Sequence, residues 1–363
     1  MKKAFYISAI VLLFSCSTNR GSSVINALIP DEGKNIMSWL DVFPDIEMIR
    51  LTGEQLPVIS PYAPLVVRDN IYYVVDRYAS QQIHRFDQNG KYLNSIGSRG
   101  RGQNEYISMV DVMVDSHGNI NVYSGHGDHT LLTYSSDGIL LEREILPYAS
   151  LRFASLNGFN YHYVGIYSKY QLYVTDNSGQ VKELFPSSSR APIFPNFQTF
   201  SLCDNALYFC PPDGNDIYQL QNGKIEVKYR FDFGVYNIPD EYYKCNNEAD
   251  LIDFMRYHTV AFKDAFYENK YCAILQLSIL SGMEGWFAYG ILNKQKNVWR
   301  WFNGNQDDFM FFRYLDEEYA YFTADPELMK QTPGMIQRFP LLNTLTDNDN
   351  IVILRCKMAS ANL

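Results

Sequence analysis

Residues 71–106 read IYYVVDRYASQQIHRFDQNGKYLNSIGSRGRGQNEY, and this stretch decides the fold. Its first five residues are β-branched or aromatic, which is typical of a strand. Apolar and polar residues alternate over residues 82–86 and again over residues 92–96, as they do in strands with one buried face. Gly90 closes the turn between these two runs, because glycine readily takes the positive φ of a tight hairpin. The pattern predicts three antiparallel strands, which are most of a four-stranded blade.

The same pattern recurs along the chain. Residues 114–144 repeat the order strand, loop, strand, turn, strand, and Gly138 lies 48 positions after Gly90. Weaker copies of the pattern follow at residues 170–185, 205–229, 270–302 and 318–358. Repeats of this length, each holding three or four short strands, are typical of a β-propeller. The sequence therefore predicts an all-β fold, a six-bladed β-propeller with four-stranded antiparallel blades.

The sequence also predicts how the ring closes. Residues 46–51, IEMIRL, alternate like a strand, but they precede the first complete blade and have no hairpin partner. Open edge strands favour aggregation, so a propeller needs its ends joined. We expect this strand to complete the last blade beside residues 350–357, in a propeller that spans residues 45–358.

One helical insertion is predicted at about residues 238–257, between the fourth and fifth copies. Pro239 favours the start of a helix there, and a second short helix is expected after Pro326. The apolar residues of the insertion have helical spacing: Leu251, Ile252, Phe254 and Met255.

The N-terminus has the features of an export signal. Lys2 and Lys3 precede an apolar run that ends at Phe14, too short for a membrane span but typical of a signal peptide. The run ends in Leu13-Phe14-Ser15-Cys16, which resembles the bacterial lipobox. We therefore expect residues 1–15 to be removed as a lipoprotein signal peptide and Cys16 to be lipidated, which anchors a chain to a membrane. The alternative is an ordinary secretory signal with an incidental cysteine.

The residues after the signal indicate where the protein resides. Ser17 is not the aspartate that retains lipoproteins at the inner membrane of well-studied Gram-negative bacteria. An outer-membrane lipoprotein of the cell envelope is therefore expected, facing the periplasm rather than the cell surface. Residues 16–44 are polar and contain serine and asparagine, which predicts a tether.

Composition excludes one class of partner. The formal net charge is −9, and a general nucleic-acid binder needs a basic face to neutralise phosphates. Five cysteines remain after Cys16, without metal-binding spacing, and we expect them to be buried apolar residues. The turn at Asp204-Asn205 places Cys203 opposite Ala206, so no disulfide is expected between Cys203 and Cys210. We expect a monomer.

The run FDQNGKYLNSIGSRGRGQNEY closely resembles a signature of six-bladed β-propeller lipoproteins that are related to NHL repeats and are common in Gram-negative gut anaerobes. The first strand, IEMIRL, and the last, DNDNIVILRCKM, also resemble the ends of that family. The resemblance covers nearly all of the mature chain, although Gln103 stands where the family usually has proline. These families are largely uncharacterised, so the resemblance implies the architecture and little about chemistry.

Two segments carry candidate ligand-binding residues, and the first is the glycine loop of the opening stretch. Gly97, Gly100 and Gly102 alternate with Arg99 and Arg101, an arrangement that can bind an anion through backbone N–H groups. No lysine with serine or threonine follows, so this is not a nucleotide-binding loop. The simpler interpretation is a connection between blades in which the glycines turn the chain.

The second segment is Ser124-Gly125-His126-Gly127-Asp128-His129, the densest group of possible metal ligands. Imidazole and carboxylate groups on a loop can hold a divalent ion such as Zn²⁺. The corresponding loop of the first repeat, residues 76–80, has no histidine. We therefore interpret the segment as a solvated polar turn and expect no metal or other cofactor, while His126, Asp128 and His129 remain candidate ligand residues.

The sequence favours binding over catalysis. It contains none of the short motifs that mark nucleophilic or zinc hydrolases. Our leading hypothesis is a lipid-anchored propeller that acts as a binding or scaffold module for a glycan, a peptide or a partner protein at the outer membrane. The alternative is a metal-dependent hydrolase or lyase with its site in the central funnel, which requires His, Asp or Glu from several blades to converge.

Overall fold

The computed structural model describes residues 24–363, except 55, 116, 126–128, 147–148, 166–168, 177, 187–197, 204–205, 283, 305–306, 308 and 347–349. Its first elements are β1 (Val24–Asn26), α1 (Trp39–Val42) and β2 (Ile46–Arg50). Within the described ranges, no helix has the length and apolar content needed to cross a bilayer.

The strands form six antiparallel sheets, the blades of a propeller. Blade 1 holds β3 (Leu65–Arg68), β4 (Ile71–Asp76), β5 (Gln82–Phe86) and β6 (Tyr92–Ile96). Blade 2 holds β7 (Met109–Val114), β8 (Ile120–Ser124), β9 (Thr130–Tyr134) and β10 (Leu140–Ile145). Blade 3 holds β11 (Arg152–Leu156), β12 (Phe159–Tyr163), β13 (Tyr170–Asp176) and β14 (Val181–Pro186).

The second half of the ring is built in the same way. Blade 4 holds β15 (Phe200–Cys203), β16 (Ala206–Phe209), β17 (Asp216–Gln221) and β18 (Lys224–Asp232), with β1 added in parallel outside β18. Blade 5 holds β19 (Thr259–Glu268), β20 (Cys272–Ser281), β21 (Glu284–Asn293) and β22 (Val298–Asn303). Blade 6 holds β23 (Met310–Leu315), β24 (Tyr319–Ala324), β25 (Val352–Lys357) and, at its outer edge, β2.

The ring closes as the sequence predicts. Strand β2 pairs antiparallel with β25, with Ile46 opposite Cys356 and Arg50 opposite Val352. The first strands of neighbouring blades (β3, β7, β11, β15, β19 and β23) contact one another all the way round the axis. We call the face on which these inner strands begin the upper face. The turns between the second and third strands of each blade lie on this face, because adjacent strands are antiparallel.

Apolar side chains fill the seams between blades, and each pair of neighbouring blades has its own buried cluster. The smallest of the six lies between blades 2 and 3 and consists of Tyr123, Leu131, Leu146 and Phe153. The abundant aromatic residues are therefore mainly structural, since large side chains fill the space between packed sheets.

The helices differ in part from the prediction. The insertion helix α2 spans Glu248–Tyr257 and begins eight residues after the position expected from Pro239. Asn247 sets this start, because its side chain accepts a hydrogen bond from the backbone N of Asp250 at 3.0 Å. The helix expected after Pro326 is present as α3 (Pro326–Gln331), and α4 (Met335–Arg338) follows it in the same connection.

The described part of the predicted tether, residues 24–44, packs on the propeller instead. Strand β1 extends blade 4, and Trp39 in α1 is fully buried. Ser38 Oγ and the backbone N of Leu40 donate hydrogen bonds to the Asp307 carboxylate at 2.9 and 3.1 Å. The apolar residues of this segment, Trp39 above all, hold it on the propeller.

The five cysteines beyond Cys16 are buried, as expected. Cys203 pairs with Ala206 across the β15–β16 turn, and no disulfide is found in the described chain.

The two matching turn glycines give a test of how the ring closes. Gly90 and Gly138 have φ values of +81° and +82°, and an alanine side chain is strained at either. A Cβ atom on Gly90 would also lie 2.2 Å from the carbonyl O of Arg50 in the closing strand. A Cβ atom on Gly138 would have no neighbouring atom closer than 3.8 Å.

We therefore expect Gly138→Ala to lower the free energy of unfolding by about 1–2 kcal/mol, the usual cost of this backbone conformation. Gly90→Ala should lower the free energy of unfolding by about 1–3 kcal/mol more than Gly138→Ala does, because it forces the closing strand outward. Urea unfolding of the two variants measures the difference. Equal costs would contradict the close approach of the Gly90 turn to β2.

Candidate functional site

A cavity of about 90 Å³ lies between the inner strands near the axis. Most side chains that line it are apolar, as expected where inner strands meet. Its polar lining is dominated by arginine: Arg68, Arg77, Arg152 and Arg313, with Asp111 and Gln198. An arginine-rich lining is unusual for a chain with a net charge of −9, so this cavity is the candidate site.

Two charged residues of the inner strands lie at β-bulges. In β23, Phe312 pairs with Phe322 and Tyr314 pairs with Tyr321, so Arg313 is the extra residue of a bulge. In β19, the pairing shifts between Lys263 and Ala265, and Asp264 is the extra residue there. A bulge bends the strand and redirects a side chain, which allows a charged residue to leave the alternation of the inner strand.

An ion pair joins blades 1 and 2 at the cavity wall. Arg77 follows β4 in the upper-face turn, and its Nη2 donates to Asp111 Oδ1 at 2.9 Å. The other oxygen of Asp111 accepts a hydrogen bond from the backbone N of Phe153 at 2.8 Å. Asp111 therefore uses both oxygens, and it fixes Arg77 and the start of blade 3 at the seam with the smallest apolar cluster.

Arg152 is the first residue of β11 and lies close to this pair. Its Nη1 donates to the carbonyl O of Leu151 at 2.7 Å. Burial and the positive charge of Arg77 lower the pKa of the Arg152 guanidinium. The two guanidinium groups repel each other, and the carboxylate of Asp111 partly offsets this repulsion.

Arg313 approaches the cavity from blade 6. Its Nε donates to Thr323 Oγ1 at 2.9 Å and its Nη2 donates to the carbonyl O of Pro61 at 3.0 Å. Both acceptors are neutral. Burial lowers the pKa of the Arg313 guanidinium to about 10, so it still carries a positive charge at neutral pH.

A buried lysine, Lys263, links blades 4 and 5 near the upper face. Lys263 Nζ donates to the carbonyl O of Asp213 at 2.6 Å and to the carbonyl O of Gly214. Its backbone N donates to the carbonyl O of Pro212 at 2.9 Å. Lys263 thus fixes the turn between β16 and β17 at the upper end of the ring.

The glycine loop predicted as a possible anion site is filled by the chain itself. The backbone N of Gly102 donates to Glu105 Oε2 at 2.7 Å. A Cβ atom on Gly100 would lie 1.8 Å from the same carboxylate oxygen, so the glycine makes room for Glu105. Arg99 and Arg101 are exposed on this loop. The arrangement agrees with the simpler interpretation, a connection between blades.

Of the predicted metal-ligand group, His126 and Asp128 lie outside the described residues. His129 is described, with φ +43°, and its Nδ1 lies 3.3 Å from Tyr123 Oη. Among the residues that the structure describes, no three His, Cys, Asp or Glu side chains are grouped as metal ligands. Cys16 also lies outside the described residues.

The insertion borders a second, more open groove on the upper face. Helix α2 packs on blade 5 through Leu251, Phe254 and Met255, which are buried in one cluster with Val260. The groove beside it is lined by aromatic rings that include Tyr236 and Trp286, whose planes meet at 84°. It carries no arginine, lysine, aspartate or glutamate among its described lining residues.

Sequence reasoning missed the axial arginines. Arg77 stands in the loop that corresponds to residues 124–129, but its role depends on Asp111 from the next blade. Arg152 and Arg313 start or interrupt inner strands that lie outside the sequence repeats. A signal was present: a charged residue within an inner strand of an otherwise apolar repeat marks a side chain that faces the axis.

Comparison with solved structures finds one protein of the same fold and two of lower similarity. A protein from Bacteroides fragilis described as exported is 17% identical over 92% of this chain and 98% of that chain, with a TM-score of 0.73. BamB from Moraxella catarrhalis is 8% identical over 77% and 86%, with a TM-score of 0.44. A protein of unknown function from Bacteroides caccae is 12% identical over 64% and 78%, with a TM-score of 0.40.

No curated protein matches the sequence. The family described as "Domain of unknown function (DUF4934)" matches residues 34–357, which include the whole ring and the segment that holds Trp39. The chain therefore belongs to the DUF4934 family.

Proposed function

We propose that the protein is a ligand-binding module of the cell envelope and that its ligand binds at the axial cavity from the upper face. The observation that carries this proposal is the charged lining of the cavity. Buried charges that serve only the fold are normally paired, because desolvation is costly. The described lining holds four guanidinium groups and one carboxylate, Asp111, which pairs with Arg77. A glycan, a peptide or a partner protein that reaches the upper face can place a polar group there.

The composition of the site favours binding over the alternative, a metal-dependent hydrolase or lyase. Metal ions that hydrolyse substrates are held by histidine and carboxylate ligands. The described lining contains a single carboxylate, Asp111, and no histidine. Both oxygens of Asp111 already accept hydrogen bonds.

A screen of ligand-dependent thermal unfolding, followed by hydrogen exchange, tests the proposed function. The full chain is heated with soluble envelope glycans, peptides and small metabolites. A true ligand should raise the unfolding temperature and slow exchange around Arg77 and around residues 198–200, which line the cavity. Slowed exchange confined to the outer strands would overturn the proposal, as would metal-dependent turnover of the ligand.

The proposed location is the periplasmic face of the outer membrane. It is supported by the signal-like N-terminus, by the lipobox-like residues 13–16 and by Ser17. The likeness to a Bacteroides fragilis protein described as exported is consistent with it. Lipid on Cys16 would anchor the propeller, with about 0.8 kcal/mol for each buried CH₂ group.

We expect Cys16→Ser to abolish lipidation. Wild-type protein expressed in a Gram-negative host with labelled palmitate should carry label and sediment with the outer membrane. The variant lacks the thiol that accepts the lipid, so it should carry no label and leave the membrane fraction. Cys356→Ser, a change in blade 6, is the control and should keep the label. Label that persists in the Cys16 variant would contradict lipid anchoring at this residue.

A further inference from the structure

We propose that the axial cavity binds an oxyanion, meaning a carboxylate, phosphate or sulfate group, through Arg77, Arg152 and Arg313. This inference rests on the proposed function and names the chemical class of its ligand. The shared chemistry is a compact group with two or three negatively charged oxygens, which the planar fork of arginine binds in a bidentate manner.

The charge of the lining is the first argument. Four guanidinium groups and one carboxylate give the lining a formal charge of +3, against −9 for the whole chain. In a narrow cavity with apolar walls, such charges act at a lower effective dielectric constant than on the surface. The cavity is therefore a local site of positive potential in an acidic protein, which attracts anions and repels cations.

Two buried acids, Asp264 and Asp213, oppose this potential less than ordinary carboxylates would. Burial raises the pKa of the Asp264 carboxyl to about 7, and burial also raises the pKa of Asp213. Asp264 instead accepts a hydrogen bond from Ser278 Oγ at 2.5 Å. The only carboxylate in the described lining, Asp111, is held by Arg77 and by the backbone N of Phe153.

The hydrogen bonds of Arg77 and Arg313 leave donors for a ligand. Arg77 uses Nη2 for Asp111, and its Nε is buried without a hydrogen-bond partner among the described residues. A buried donor without a partner costs free energy, which a ligand oxygen would recover. Among the described residues, Arg313 donates to the neutral oxygens of Thr323 and Pro61 and pairs with no carboxylate. Its charge is therefore available to an anion.

The size of the cavity suits a compact ligand group. A cavity of about 90 Å³ exceeds the roughly 10–15 Å³ needed to hold one water, so it has room for a compact oxyanion group. The anion is either a free inorganic ion or the acidic group of a larger molecule that rests on the upper face, where Tyr78 is exposed.

Isothermal titration of the full chain at low salt tests the inference and separates the two sources. The probes are inorganic phosphate, inorganic sulfate, galacturonate and its neutral counterpart galactose. We expect at least one anion to bind and galactose not to bind. If phosphate or sulfate binds at least as tightly as galacturonate, the ligand is a free ion. If galacturonate binds more tightly, the ligand is an acidic group carried by a sugar.

Variants place the anion in the cavity. Arg152→Gln and, separately, Arg313→Gln should each raise the Kd about tenfold or more, the usual effect of losing a charge-assisted hydrogen bond. Arg152→Lys keeps the positive charge but loses the planar guanidinium group, so its Kd should lie between those of Arg152→Gln and wild type. Arg256→Gln, on the exposed surface of α2, is the matched control and should leave the Kd unchanged. Thermal unfolding without ligand shows which variants are folded.

Several outcomes overturn the inference while leaving the proposed function intact. One is a ligand that protects the cavity from exchange but is neutral or cationic. Another is anion binding that Arg99→Gln weakens and that Arg152→Gln and Arg313→Gln leave unchanged, which assigns the anion to the glycine loop. If no ligand of any charge protects the cavity, the proposed function and this inference both fail.

Discussion

Replacing Trp39 with alanine should lower the free energy of unfolding by about 3–5 kcal/mol, the usual cost of removing a large buried side chain. Trp39 is fully buried between blades 5 and 6. Its ring centroid lies 5.2 Å from that of Tyr289, 5.7 Å from that of Phe312 and 5.2 Å from that of Phe322. The indole therefore joins the last two blades of the ring, and its loss leaves a cavity that neighbouring strands cannot fill.

Urea unfolding of the full chain measures this effect. Tyr257→Ala is the control, because Tyr257 is 74% exposed at the end of α2 and should change the free energy by no more than about 0.5 kcal/mol. If residues 24–44 were a tether without a fixed place, the two variants would unfold at the same urea concentration. Equal midpoints would thus contradict the packing of Trp39 on the propeller.

This segment shows where reading the sequence failed and why. Of the 21 residues in 24–44, 11 are apolar, but no long helical or strand periodicity runs through them. What holds the segment is non-local: the partner of β1 is β18, about 200 residues later, and Ser38 bonds to Asp307. One strand pairing, one buried tryptophan and this hydrogen bond fix the segment, and none of these contacts follows from the composition of the segment alone.

The blades could be predicted from the sequence, because strand patterns and turn glycines are local features of the chain. Strands β5 and β6 have the bounds that alternation predicted, and Gly90 and Gly138 both adopt the positive φ that tight turns need. The closing strand was also predictable, because a ring needs a partner for its last edge. Each of these inferences uses residues that are neighbours in the chain or a general rule about sheet edges.

The axial site could not be predicted from the sequence, because neither the ion pair nor the bulges give a local sequence pattern. Asp111 and Arg77 come from different blades, and the ion pair exists only once the blades stand side by side. Arg313 and Asp264 sit at bulges, which break the alternation used to recognise strands. Arg313 therefore brings charge to the cavity at a position where the strand pattern is interrupted.

Asp264→Asn should make the protein more stable than wild type above pH 7, by on the order of 2–4 kcal/mol. Burial raises the pKa of this carboxyl from 3.8 to about 7 in the folded protein. Asparagine cannot ionise, yet its carbonyl oxygen can still accept the hydrogen bond that Ser278 Oγ donates to Asp264. The variant therefore keeps the contact and removes the charge.

The direction of this change in stability follows from the pKa of Asp264 in the folded and in the unfolded protein. In the unfolded chain the carboxyl ionises near pH 3.8, while in the folded protein it keeps its proton to about pH 7. As the pH rises between these values, ionisation favours the unfolded chain more and more, and above pH 7 the penalty is constant. The gain from Asp264→Asn should therefore vanish below about pH 4, grow up to pH 7 and then level off.

Urea unfolding of wild type and variant from pH 4 to pH 8 measures this curve, with Asp137→Asn in an exposed turn as the control. Parallel curves for wild type and Asp264→Asn would contradict a buried, protonated carboxyl in the bulge of β19. If Asp264→Asn also changes anion affinity while Asp137→Asn does not, the bulge that carries Asp264 contributes to the axial site as well as to the sheet.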